Sequence, residues 1–166
     1  MYKLFLLLFL LTQLHASQHQ LAILSNITSN STQEFSISGY RFRCLPYGVI
    51  ALEELSYNTN LDSICQKDIQ KFYLKNPILE QFAQKKLKYM QMYKIEFKES
   101  RCILYAQGQK SYSELLLENG LAVLKPIFLD DEFRYSFFKA QENAKLLKKG
   151  IWKNEIMHKC IESLYK

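Results

Sequence analysis

The amino-acid sequence predicts a single α+β domain in which short strands come first and helices interrupt and follow them. Residues 20–45 hold short apolar runs separated by polar turns, as strands do. Residues 101–152 show strand and helix patterns in alternation, each with a clear boundary. The full length of 166 residues fits one domain that is large enough to bury a core.

The first half of the chain supplies the strands. Two or three of them are expected, over residues 21–24, 34–37 and 40–45. A stretch rich in Ser and Asn separates the first two, and Ser38-Gly39 supplies a turn before the third. Short strands joined by polar turns suit the first half of a small barrel.

Residues 46–76 are predicted to be a helical segment. A helical turn is expected around residues 52–55, a loop at 58–60, and a second helical piece at 62–74. Pro77 then begins another helix that leads into a strand over residues 93–97. One face of that helix is predicted to carry Leu79, Phe82, Ala83, Leu87 and Met90.

The next elements are a strand and a short helix. Residues 102–106 form an apolar and aromatic run, and Gln107-Gly108-Gln109 gives the chain a place to turn. Ser111 and Glu114 have the spacing of a capping box, which predicts the start of a helix. Asn119-Gly120 is a typical helix end.

The last predicted elements are a strand and a long amphipathic helix. Residues 121–124 are an apolar run, and the acidic residues 130–132 are placed as at a helix N-terminus. Lysines and Gly150 end the helix, and Trp152 is assigned to packing against it. The buried stripe of the helix is predicted to be Phe133, Phe137, Ala140, Ala144 and Leu147.

This order of elements resembles the staphylococcal nuclease-like (thermonuclease) domain. The matching residues are Arg101 with the strand at 103–105, SELLLENGLAVL at 113–124, and AQENAKLLKKGIW at 140–152. The resemblance implies a five-stranded barrel of the OB type with three helices, in which residues 46–76 are an insertion. In active members it also implies calcium-dependent cleavage of DNA and RNA phosphodiesters.

The family uses two arginines to hold the phosphate. The arginine that opens the fifth strand matches Arg101, and the arginine of the third strand matches Arg43. The resemblance therefore makes both residues candidates for catalysis and for nucleic-acid binding. It also places Phe128 where the family has an aromatic residue on the substrate side, and Pro126 at the other such position.

The carboxylates of the family are missing from their expected positions. Ser31 stands where the calcium aspartate of the first hairpin should be, and Gly48 and Ala51 stand where the Asp and Glu after the third strand should be. Glu53 and Glu54 lie two and three residues further on, so a shifted loop would bring one into the site. Both are candidate catalytic residues, while the metal ligands stay unassigned and Ca²⁺ rests on the resemblance alone.

The N-terminus predicts export. Lys3, an apolar run over residues 4–11 and the small residue Ala16 have the layout of a signal peptide covering residues 1–16, which leaves residues 17–166 as one mature domain. The apolar run is shorter than the roughly 20 residues of a spanning helix, so no stable membrane insertion is expected. The predicted location is secreted or periplasmic.

Four cysteines in an exported chain predict two disulfides, with three pairings open. Under the resemblance the strands of Cys44 and Cys102 are neighbours, which favours that pair and leaves Cys65 with Cys160. The competing arrangement joins Cys44 to Cys65. No close Cys spacing suggests a metal site.

A formal net charge of +6 suits a partner with a phosphate backbone. The sequence thus predicts an exported, monomeric module that binds single-stranded or duplex nucleic acid through a basic barrel face, with nuclease activity left open. The alternatives are an active metal-dependent nuclease rebuilt around Glu53 or Glu54, and a non-catalytic envelope interaction module.

Overall fold

The computed structural model describes residues 19–58, 60–125, 129–162 and 164. The predicted signal peptide, Pro126 and Phe128 lie outside these described residues. Within them the strands are β1 Gln20–Ile27, β2 Gln33–Ile37, β3 Tyr40–Cys44, β4 Val49–Ala51, β5 Met92–Lys98, β6 Arg101–Gln107, β7 Lys110–Ser111 and β8 Ala122–Leu124.

Six of these strands form one antiparallel sheet that curls into a barrel. Their order is β3-β2-β1-β5-β6-β7, and β4 pairs with β8 separately. The chain after β3 closes the barrel on β6: Tyr47 N–H donates to the Cys102 carbonyl and Cys102 N–H to the Leu45 carbonyl, each at 3.0 Å. Closure of β1, β2, β3, β5 and β6 in this way is OB topology, so the predicted α+β fold class is confirmed.

Helices fill the connections and cover the ends of the barrel. The described residues form α1 Leu52–Leu55, α2 Ser63–Lys75, α3 Pro77–Glu80, α4 Phe82–Lys86, α5 Tyr112–Glu118, α6 Asp131–Leu146 and α7 Glu155–Glu162, with a 3₁₀ helix at Gly150–Lys153. These are more than the three helices that the resemblance implies, because the segment before β5 is broken into short pieces and α7 follows the last element that the sequence predicted.

The predicted capping box is present at the start of α5. The Ser111 hydroxyl accepts from the Glu114 N–H at 3.2 Å, and the Glu114 carboxylate accepts from the Ser111 N–H at 3.4 Å. The helix ends before Asn119, as predicted. Most of its side chains are buried, because the helix closes one end of the barrel.

Two apolar residues assigned to helix faces are exposed instead. Met90 is 62% and Leu147 65% exposed. The chain leaves the helical conformation at Leu87, where φ and ψ are −113° and 139°, so the periodicity stops before Met90. Met90 N–H instead donates to the Leu24 carbonyl at 2.9 Å, which guides the chain into β5. Leu147 follows the last residue of α6 and has left the buried stripe.

A single core lies inside the barrel and between the barrel and the helices. Phe35, Ile95 and Ile103 are fully buried in the barrel, and Trp152 is 6% exposed, as its packing role predicts. The α6 stripe contributes Phe133, Phe137, Ala140 and Ala144.

Two disulfides tie these layers together. Cys44–Cys102 joins β3 to β6 with 5.5 Å between the Cα atoms, and Cys65–Cys160 joins α2 to α7 with 5.6 Å. These are the pairs that the resemblance favours, and the alternative between Cys44 and Cys65 is wrong. In the described part of the chain, no helix is both long enough and apolar enough to cross a bilayer.

Candidate functional site

Arg101 opens β6, and its guanidinium is held by the segment that follows β3. Nη1 donates to the carbonyls of Pro46 and Val49 at 3.0 and 3.1 Å. Nη2 donates to Glu54 Oε2 at 2.7 Å, and only 18% of the arginine side chain is exposed. Its neighbour Cys102 faces the core, so Arg101 projects outwards but is covered by this segment. Acceptors of the chain itself therefore occupy the guanidinium.

Glu54 connects Arg101 to the start of α1. Its Oε1 accepts from the Ala51 N–H at 3.3 Å and lies 3.4 Å from Arg101 Nη1. An acidic side chain in the first turn of a helix also interacts favourably with the helix dipole. The shifted loop that the sequence analysis considered does bring one carboxylate to Arg101, and that carboxylate is Glu54.

Glu53 points to a different partner, the turn between β1 and β2. Its Oε1 accepts from the Asn30 N–H at 3.1 Å. Burial raises the pKa of the Glu53 carboxyl above its usual value, and the hydrogen bond from Asn30 lowers that pKa by less. Glu53 and Glu54 thus serve two separate networks, although they are adjacent in sequence.

Asn30 anchors that turn in the interior. It is fully buried, its Nδ2 donates to the Leu79 carbonyl at 2.8 Å and to the Tyr73 hydroxyl at 3.3 Å, and its Oδ1 accepts from the Ala83 N–H at 2.8 Å. The turn is the place where the resemblance puts a calcium-binding aspartate. Here it is bound to α2, α3 and α4, and Ser31 beside it is 6% exposed.

The two remaining carboxylate positions have no room for a carboxylate. Gly48 has φ +73°, and a methyl group added to it would lie 2.3 Å from Leu129 Cδ2 and 3.0 Å from the Phe137 ring. Ala51 is fully buried and pairs with Ala122 of β8. An acidic side chain at Gly48 would displace Leu129, press on the Phe137 ring and strain the backbone, and one at Ala51 would lie in the core.

These residues do not fit the calcium site that the resemblance implies. Ca²⁺ takes about six to eight oxygen ligands, several of them carboxylates. Glu54 is engaged with Arg101 and Glu53 with Asn30. Among the residues that the structure describes, no three His, Cys, Asp or Glu side chains come together as a group that could hold a metal ion.

Arg43 lies apart from this network, on the exposed face of β3. Its side chain is 73% exposed, and its Nε is 3.5 Å from Glu34 Oε1 on the opposite strand. Arg41, which the sequence analysis missed, is exposed two residues earlier and so projects from the same face. Tyr40 beside it is 81% exposed. The alternation of Tyr, Arg, Phe and Arg in one strand was the signal that could have found this surface.

A second charged cluster, formed by Lys98, Glu96 and Asp130, was not predicted from the sequence. Lys98 ends β5 opposite Arg101, and its Nζ lies 2.9 Å from Glu96 Oε1 and 3.0 Å from Asp130 Oδ2. Hydrogen bonds to these carboxylates, to Glu96 first, raise the pKa of Lys98. The Asp130 N–H donates to the Tyr47 hydroxyl at 3.2 Å. The cluster fixes the start of α6 on the barrel.

The family described as staphylococcal nuclease homologue has a model that matches residues 66–154. That span is more than half of the chain. The chain belongs to the staphylococcal nuclease family. No curated protein matches it. Of the candidate site residues, Arg101 and Phe128 lie within the matched span, whereas Arg43, Glu53 and Glu54 precede it. The matched part of this staphylococcal nuclease homologue also stops short of Cys65 at one end and Cys160 at the other.

Proposed function

We propose that this chain is a non-catalytic member of the staphylococcal nuclease family that binds single-stranded nucleic acid through β3. The observation that carries the proposal is the contact between Arg101 and Glu54, at 2.7 Å. An arginine that stabilises a phosphoryl group must present free N–H donors to it. Here a carboxylate and two carbonyls occupy Nη1 and one N–H of Nη2, and only 18% of the side chain is exposed, which supports binding without hydrolysis.

The exposed residues of β3 supply the binding chemistry. Arg41 and Arg43 project from one face of the strand, and Tyr40, which alternates to the other face, offers an exposed ring at the start of the strand. Glu34 lies 3.5 Å from Arg43, but the arginine side chain is 73% exposed, and a contact with so exposed a partner contributes little and exchanges readily with a phosphate. Guanidinium groups contact the backbone and rings stack on bases, a combination typical of single-strand binding. We therefore assign the phosphate contacts to Arg41 and Arg43 rather than to Arg101.

Fluorescence anisotropy of labelled 12-mer DNA and RNA, with disulfides intact, tests the proposal. Arg41→Ala/Arg43→Ala should weaken single-strand binding by about tenfold or more. It should also reduce the slope of log K against log salt by about 1.4, the value expected for the loss of two phosphate contacts. Lys85→Ala/Lys139→Ala removes the same charge from exposed sites on α4 and α6 and is the matched control. Equal losses in both variants would show that net charge alone drives binding and would reject the β3 interface.

The alternative is a nuclease with a rebuilt site. Its carboxylate would be Glu54 rather than Glu53, since Glu54 contacts Arg101. A cleavage assay of the same oligonucleotides with calcium, magnesium or EDTA separates the two functions. We expect no cutting in any condition. Metal-dependent cutting that Arg101→Ala and Glu54→Gln both abolish would support the rebuilt nuclease and reject the non-catalytic module.

We also propose that the chain is exported. Two disulfides tie its described part together, and disulfides persist in oxidising compartments. N-terminal sequencing of the protein recovered from outside the cytoplasm should begin at Ser17. A protein that starts at Met1 and stays in the cytoplasm would contradict export. In that case the four cysteines should be found reduced, and the interaction with nucleic acid would concern a different compartment.

A further inference from the structure

A cleft of about 410 Å³ lies between α2, the start of α3, the 3₁₀ helix and α7. None of its lining residues belongs to a barrel strand, so it is separate from the Arg101 network and from the β3 surface. The disulfide between Cys65 and Cys160 joins α2 to α7, which form two of its walls. The volume is within the range of small-molecule sites.

The rim of the cleft is cationic. Lys71, Lys75 and Lys153 line it, against one acid, Asp68. Lys71 Nζ is 3.9 Å from Asp68 Oδ1, at the limit of an ion pair. Lys75 and Lys153 make no ion pair with any residue in the described ranges. Two lysines that face one concave space without a carboxylate partner favour an anionic ligand.

The base of the cleft is apolar and includes an aromatic ring. Phe72 and Leu79 are half-buried, and Met157 is 2% exposed. Asn76 Nδ2 donates to the Phe72 carbonyl at 2.9 Å, which fixes the end of α2 at the base of the cleft. A ring beside lysine ammonium groups can stack on a flat heterocycle while the lysines hold a phosphate.

We propose that this cleft binds a nucleoside monophosphate, either free or at the end of a strand, with the phosphate on Lys75 and Lys153 and the base against Phe72. The proposal does not depend on the β3 interface, since no residue is shared between the two surfaces. It assigns a ligand to the part of the molecule that α2 and α7 build outside the barrel.

Calorimetric titration of the disulfide-intact protein with adenosine 5′-monophosphate tests the proposal, with adenosine and inorganic phosphate as the two halves of that probe. The nucleotide should bind more tightly than either half. Lys75→Ala/Lys153→Ala should weaken nucleotide binding by about tenfold or more, as expected for charge-assisted hydrogen bonds. Phe72→Leu should weaken nucleotide binding but leave phosphate binding unchanged. Lys85→Ala/Lys139→Ala, which removes two lysines outside the cleft, should have little effect.

Two results would overturn the proposal: no nucleotide binding to the wild-type protein at millimolar concentration, or equal weakening by both lysine pairs. A competition experiment between the nucleotide and a 5′-phosphorylated hexathymidylate, in an Arg41→Ala/Arg43→Ala background, then shows whether the cleft takes a free nucleotide or the end of a strand. Competition indicates the end of a strand, and its absence indicates a free nucleotide. That background lacks the β3 arginines, so nucleotide binding measured in it reports on the cleft alone. Loss of the β3 interface would therefore leave nucleotide binding intact, whereas absence of the cleft site would abolish it.

Discussion

Glu54 Oε2 accepts a hydrogen bond from Arg101 Nη2 at 2.7 Å, and both side chains are about four-fifths buried. The pair joins the start of α1 to the first residue of β6. It therefore links the inserted segment to the barrel at the arginine for which the resemblance implies a phosphate contact. Because both charged groups are largely shielded from solvent, each stabilises the other. Loss of either one leaves the remaining charge poorly solvated and without its partner.

Removal of one partner of this pair should destabilise the fold. Arg101→Ala should lower the free energy of unfolding by about 2 to 4 kcal/mol, since it removes the charged partner of Glu54 and the donor of two carbonyls. Arg43→Ala, at an exposed pair, should cost less than about 0.5 kcal/mol. Urea denaturation measures both. Similar small losses for the two variants would mean that Arg101 is free to serve a ligand.

Restoring the family carboxylate after β3 should fail. Gly48→Asp adds a side chain where a methyl group already lies 2.3 Å from Leu129 Cδ2, and it forces a non-glycine residue to φ +73°. We expect a loss of about 3 kcal/mol or more and no stabilisation by calcium in thermal melts. Gly39→Asp is the control for the cost of placing a non-glycine residue at positive φ, since φ is +87° there and the space around the residue is open. A Gly48→Asp protein that calcium stabilises would contradict this account of the site.

The Glu53 carboxyl should make stability depend on pH. Burial raises its pKa above the usual 4.5, so the folded state holds the proton more tightly than the unfolded state. Its contribution to stability is therefore largest below pH 4.5 and is lost as the pH rises through the folded-state pKa. Glu53→Gln keeps an acceptor for the Asn30 N–H and should flatten this part of the profile. Denaturation of wild type, Glu53→Gln and the exposed control Glu99→Gln between pH 4 and 8 checks it; an unchanged profile in Glu53→Gln would contradict the prediction.

The disulfide between Cys65 and Cys160 should contribute strongly to stability and to the cleft. It closes a chain segment 95 residues long, for which loop entropy predicts a contribution of about 4.7 kcal/mol. Cys65→Ser/Cys160→Ser should lose about that amount in urea, and it should also weaken nucleotide binding because α2 and α7 form walls of the cleft. The Cys44→Ser/Cys102→Ser variant should lose stability but keep nucleotide binding when folded. If both variants bind the nucleotide equally well, the shape of the cleft does not depend on the disulfide between Cys65 and Cys160.

Much of the fold could be predicted because local chemistry decides it. The capping box of Ser111 and Glu114, the Asn119-Gly120 end of α5 and the stripe of Phe133 and Phe137 depend on residues within a few positions of one another. The prediction was wrong at Met90 and Leu147, where apolar spacing continued beyond the point at which the chain turns away. Helix α7 was missed, and it packs against α2, which is distant in sequence, as well as against the 3₁₀ helix just before it.

The site was predictable only in its residue types. The residues and their spacing, compared with the family pattern, indicated that two arginines remained, that the family carboxylates were absent from their positions, and that Glu53 and Glu54 were the nearest substitutes. Only the folded chain shows that Glu54 binds Arg101, that Glu53 binds the turn at Asn30, and that Arg43 remains exposed. These partners are 23 to 47 residues apart in sequence, so their pairing depends on how the barrel closes and where the insertion packs, which no local pattern specifies.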